Sequence, residues 1–158
     1  MKKLSNSVAS NRQRDEQAVL RFLRSQPMAT IATVDGVRNK PESALIAFAE
    51  LDNLEIIFET YHDARKYANL QTNPAVAIVV GWDDKLHRTL QYEGVASELT
   101  EQVDIDHYRD IFLQKDTPCT EEFLRHPKVR LFRVRPQWIA FADYTGETPL
   151  VIELTFAD

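Results

Sequence analysis

The spacing of apolar residues changes several times along the chain, and each change marks an element. From Arg12 to Ser25, Ala18, Val19, Phe22 and Leu23 recur at helical spacing between charged residues, so an amphipathic helix is expected, with Asn11 as its cap and Pro27 ending it. Residues 1–11 are polar and are expected to form a flexible lead-in to one domain over 12–158. Met28–Asp35 then alternates apolar and small polar residues, as a strand does. Asp35-Gly36 signals a turn, and Ser43–Ala49 reads as the antiparallel partner. A turn at Leu51-Asp52-Asn53 leads into a third strand over Leu54–Thr60, which completes a meander.

The next stretch, Tyr61 to Gly81, combines a basic turn, a short helix and an apolar strand. Asp63 is expected to cap the helix, Arg65 and Lys66 fall in its first turn, and Asn73-Pro74 ends it. Ala75–Val80 (AVAIVV) reads as a buried strand. Trp82–His87 is a polar hairpin connection, and Arg88–Leu99 is a long strand. Gly94 in its interior suggests a bulge or a close backbone approach. Thr100 opens a helix that breaks at Asp116-Thr117-Pro118, and a short helix follows over Thr120–Arg125. Pro127–Asp143 is strand-like, Thr145-Gly146-Glu147 turns, and Leu150–Phe156 closes. The pattern is mainly β with flanking helices.

Composition narrows the classes. The chain has 158 residues, enough for one domain, and 44% of them are hydrophobic. A net charge of −5 argues against a general nucleic-acid or anionic-membrane binder. Cys119 is the one cysteine, so no disulfide forms within the chain. The four histidines are scattered, and His107 beside Asp104 reads as a surface pair rather than as metal ligands. No apolar run suits a membrane span or a signal peptide, so a cytoplasmic protein is expected. No dinucleotide, Walker or nucleophile-elbow motif occurs.

Arg65 and Lys66 carry the candidate chemistry. Basic side chains at a helix N-terminus oppose the helix dipole, yet they suit an anion held by the free amides there. Arg offers a planar fork and Lys a point charge. From chemistry alone the pair is either a phosphate grip or solvated surface charge.

The segment F-x-T-x-x-x-A-R-K-x-x-N-L-x-x-N-P-x-V-A, Phe58 to Ala77, resembles the pyridoxamine 5′-phosphate oxidase-related family of flavin mononucleotide (FMN) binding split β-barrels. The A-T-I-A-T-V-D-G opening, the Leu90–Gly94 strand and the R-x-R-P-x-W-I-x-x-x-D-Y run from Arg133 to Tyr144 extend the resemblance over roughly Gln26 to Tyr144. It implies a split β-barrel, FMN as cofactor, and a homodimer with the cofactor at its interface. It assigns the phosphate to Thr60, Arg65 and Lys66, and it counts Phe58 and Glu59 of the same strand among the cofactor-binding residues. Leu45, Gln91 and Trp138 are then expected beside the flavin ring. Read without the resemblance, Gln91 is an outward polar residue and Trp138 a core aromatic.

Three departures bear on activity. The sequence closes on LVIELTFAD without the family's C-terminal Arg and His segment, so pyridoxamine 5′-phosphate oxidase activity itself is not expected. The second strand, Ala44–Phe48, lacks a basic residue, and Ala64 stands where Ser is common. The chain thus resembles the short, general-stress-protein-like branch, and no catalytic residue is assigned. An FMN oxidoreductase acting on a small molecule is the leading expectation. The alternatives are a flavin carrier or stress-linked sensor, or a relative binding haem or the deazaflavin F420. No histidine stands on the C-terminal loop where haem would require one, and the acidic net charge weakly disfavours F420.

Overall fold

The computed structural model describes residues 2–81, 85 and 87–157, with side chains from Asn11 onward. The order is α1 (Lys2–Arg24), β1 (Met28–Asp35), β2 (Lys40–Glu50), β3 (Ile56–Tyr61), α2 (Arg65–Thr72), β4 (Ala75–Val80), β5 (Arg88–Glu98), α3 (Gln102–Gln114), α4 (Glu121–Leu124), β6 (Val129–Asp143) and β7 (Leu150–Thr155). The strands pair antiparallel in the order β3-β2-β1-β4-β5-β6-β7, and β6 returns to pair with β3. The expected meander is therefore β1-β2-β3, and six strands close a barrel with helices against it. β6 does two jobs. Its first half, Val129–Val134, closes the barrel on β3, and its second half, Trp138–Asp143, carries β7.

Alternating side chains fill the barrel. Ile31, Phe48, Ile56, Phe58, Ile78, Leu90, Tyr92 and Phe132 are fully buried. Each such side chain contributes about 1.5–3 kcal/mol over leaving it in water. Phe58 stacks on Phe132 with centroids 5.3 Å apart. The Tyr92 hydroxyl lies 3.1 Å from the Leu54 carbonyl and 3.0 Å from that of Val134. Val19, Phe22 and Leu23 of α1 join this core. A second cluster of Ala47, Ala49, Ile57, Phe112, Leu124 and Leu131 lies between the barrel's outer side and α3–α4. At the end of α3, Lys115 pairs with Glu50, bonds the Leu23 carbonyl at 3.0 Å and sits 3.7 Å from the Phe48 ring centroid. One cation thus ties α1, β2 and α3 together.

The structure changes several local expectations. α1 begins at Lys2 rather than near Arg12, and Asn11 lies within it instead of capping it. β3 begins at Ile56. Leu54 adopts a left-handed backbone (φ 68°) in the preceding turn, which a strand pattern cannot include. Asp63 does not cap α2, because Ala64 is the cap residue and Asp63 pairs with Lys128 at 2.8 Å. α3 is preceded by Glu101 rather than capped by Thr100, whereas Thr120 does cap α4 by accepting from the Phe123 amide at 3.2 Å. β4 is buried on one face only: Val76, Ile78 and Val80 point inward while Ala75, Ala77 and Val79 point out. Most of the expected Trp82–His87 connection lies outside the described residues.

Gly94 sits at a bulge. Glu93 pairs with Trp138 and Gly94 with Pro136, so Gln137 is the extra residue. A Cβ on Gly94 would collide with the Arg135 carbonyl and come within 2.8 Å of Val134. The same bulge accommodates Pro136, which donates no ladder hydrogen bond.

Candidate functional site

The site forms where β3 turns into α2. The Ala64 amide donates to the Tyr61 carbonyl at 3.0 Å, and this turn starts the helix abruptly. The cap residue offers no side-chain acceptor. Among the described residues, the amides of Arg65 and Lys66 accordingly have no hydrogen-bond partner, as the first turn of a helix dictates. Both residues lie in this first turn, beside a cavity of about 180 Å³ lined by Thr33, Glu42, Ser43, Ala44, Ala64, Arg65 and Lys66.

The two basic residues differ. The Arg65 side chain is 75% exposed and donates from Nη1 to Glu42 Oε1 at 3.0 Å. Lys66 is half-buried and forms no hydrogen bond or ion pair with the described residues, so its ammonium is available to a ligand. The Glu42 side chain is only 11% exposed. Its carboxylate also accepts from Arg38 Nη2 at 2.5 Å and from Asn69 Nδ2 at 3.0 Å. Asn69 is buried and donates as well to Thr33 Oγ1 at 2.9 Å. Arg38 is held in turn by Asp35, Nε to Oδ2, at 2.6 Å. Hydrogen bonds from the Arg38 amide, the Arg38 side chain and the Val37 amide pull the Asp35 carboxyl down to about 2.

The other expected site residues separate into three groups. Strand pairing puts Leu45, Thr30, Val79, Gln91 and Ala140 in one row across the sheet, and Ser43, Ala32, Ala77, Glu93 and Trp138 in the next. Paired residues share a face, so Leu45, Gln91 and Trp138 occupy one outer surface together with the cavity residue Ser43. Leu45 is 69% exposed and Val79 45%. Trp138 is half-buried and donates from Nε1 to Glu153 at 2.6 Å, so it is not a residue of the barrel core. Phe58 and Thr60 are buried in β3, and the Thr60 hydroxyl donates to the Tyr61 carbonyl at 3.3 Å. Glu59 points to the outer side and accepts from Cys119 Sγ at 3.7 Å. Burial raises the Glu59 carboxyl, and the Lys66 charge partly offsets this.

Sequence reasoning gave no role to Glu42, Ser43 or Asn69. Asn69 stood within the quoted motif, which was the available signal, and its burial shows only in the fold. Glu42 gave none, because two of its three partners, Arg65 and Asn69, come from a helix more than twenty residues away.

A family profile described as pyridoxamine 5′-phosphate oxidase matches residues 15–143. A pyridoxine/pyridoxamine 5′-phosphate oxidase of Haemophilus ducreyi is 35% identical over 81 residues, which are 51% of this chain and 36% of that protein. The chain therefore matches about a third of that relative's length. The general stress protein 26 of Bacillus anthracis superposes with a TM-score of 0.64 at 18% identity, covering 88% of this chain and 98% of that one. A heme binding protein of Mycobacterium smegmatis superposes with a TM-score of 0.68 at 15% identity, covering 85% of this chain and 56% of that one. At these identities the two structures speak to the fold alone.

Proposed function

The chain belongs to the pyridoxamine 5′-phosphate oxidase family, and from this premise we propose that it is an FMN-binding flavoprotein, an oxidoreductase acting on a small molecule. One observation carries the reading. Arg65, Lys66 and Ser43 line one cavity at the start of α2, where the first-turn amides of Arg65 and Lys66 have no partner among the described residues. This donor set fits a phosphate, since it offers a guanidinium fork, an ammonium and a helix N-terminus without competing caps.

The bound flavin would supply hydride or electron exchange at its ring, and the protein would supply grip, orientation and dryness. Arg65 and Lys66 anchor the phosphate. The outer sheet face with Leu45, Gln91 and Trp138 offers apolar surface and a few polar contacts to a flat ring. That face is open in one chain, so we assign its cover to a second copy related by a two-fold axis. No side chain is given a catalytic role.

The test is an absorbance spectrum followed by flavin titration. Flavin bands that shift on binding are expected. Arg65→Ala combined with Lys66→Ala should weaken FMN by about 2–3 kcal/mol, roughly a hundredfold. Equal affinity in wild type and double variant would remove the phosphate role. A Soret band in the purified protein would move the reading to haem, the ligand named for the Mycobacterium smegmatis neighbour.

A further inference from the structure

We infer that Glu42 is a resident counter-ion that competes with the ligand's phosphate for Arg65, so that the site binds a dianionic phosphate reversibly instead of retaining it. This rests on the reading that the phosphate meets Arg65 and Lys66.

Glu42 is held from three sides. Arg38, Arg65 and Asn69 all donate to it, and Arg38 and Asn69 are themselves fixed by Asp35 and Thr33. Its side chain has little contact with water, so it is not a surface acid that swings away when an anion arrives. A phosphate approaching Arg65 therefore finds one edge of the guanidinium already given to a carboxylate. The exposed edge remains, and two anions would then share one cation.

Charge balance sets the consequence. Arg38, Arg65 and Lys66 stand against Asp35 and Glu42, a local excess of one positive charge before Glu59, which also feels Lys66, is counted. A phosphomonoester brings nearly two negative charges near neutral pH. It overfills the site, whereas an uncharged ribityl end does not. Glu42 thus narrows the preference for FMN over riboflavin, and it makes FMN an exchanging ligand.

The experiment titrates FMN and riboflavin into wild type and Glu42→Gln, read by flavin fluorescence. The amide keeps the shape and an acceptor oxygen but removes the charge. FMN should bind at least about tenfold tighter to Glu42→Gln, with riboflavin unchanged within about twofold. Glu42→Ser, which empties the position without charge, should shift FMN in the same direction and stands in if the first variant does not fold. FMN that binds both proteins equally, or binds the variant more weakly, would mean that Glu42 only positions Arg65, and would overturn the inference. If neither flavin binds either protein, the flavin reading fails on its own. Inorganic phosphate followed through the Arg65 side-chain NMR signal then decides: tighter binding by Glu42→Gln sustains the competition, and equal binding overturns it.

Discussion

Glu59 and Cys119 show how the barrel's outer layer sets individual chemistry. The thiol lies against a carboxylate beneath the segment before α4, and burial together with the Glu59 charge pushes it up to about 12. Thiolate is the reactive form, so Cys119 should alkylate slowly at pH 8 in the native protein and rapidly in denaturant. Fast native labelling by iodoacetamide would contradict this burial. Glu59 makes a second expectation. Its carboxyl is raised mainly by burial, so the folded state holds its proton to higher pH than the unfolded chain does. Stability then falls as pH rises from the unfolded value, near 4.3, through the raised native one. Glu59→Gln should be more stable than wild type above that interval and show no gain below it. Melting temperatures from pH 3.5 to 7.5 test this, and a pH-independent difference would count against it.

At the level of elements, Gly94 is where a small change should cost most. A methyl group there meets backbone rather than a flexible side-chain end. Gly94→Ala should therefore destabilise by about 1–3 kcal/mol, visible as a lowered urea midpoint. A neutral effect would mean that the bulge relaxes freely. This glycine was legible in the sequence because a lone glycine inside a strand has few explanations. Most strands were legible for a similar reason, since alternation is a local signal. The remainder depended on distant partners. Asp63 had the chemistry of a cap but found Lys128 across the β3–β6 seam. Leu54 looked like strand because its side chain is apolar and buried, while its backbone turns the other way. In β4, the outward Ala75, Ala77 and Val79 are as apolar as the inward residues, so a half-exposed strand read as a buried one. The helix start that carries Arg65 and Lys66 was legible in the sequence, and the approach of Glu42 to it was not.

At the level of the molecule, that apolar outer face bears on assembly. Leu45 and Val79 flank Thr30 on neighbouring strands and project into solvent in the single chain. With a two-fold partner over this face, Leu45→Glu combined with Val79→Lys should give monomers by light scattering with an unchanged far-UV spectrum. A persisting dimer would place the interface elsewhere. The closure of the barrel on β6 has a consequence of another kind. β3 is made early, but its second neighbour, Val129–Val134, comes only after residues 62–128. At about 5–20 residues per second on the ribosome, the β3 edge waits roughly 3–13 s for its partner. Throughout that interval a row of unpaired amides and carbonyls beside Ile56, Ile57 and Phe58 is open to other nascent chains. Conditions that slow elongation between α2 and β6 should thus lower soluble yield more than the native protein's stability would suggest.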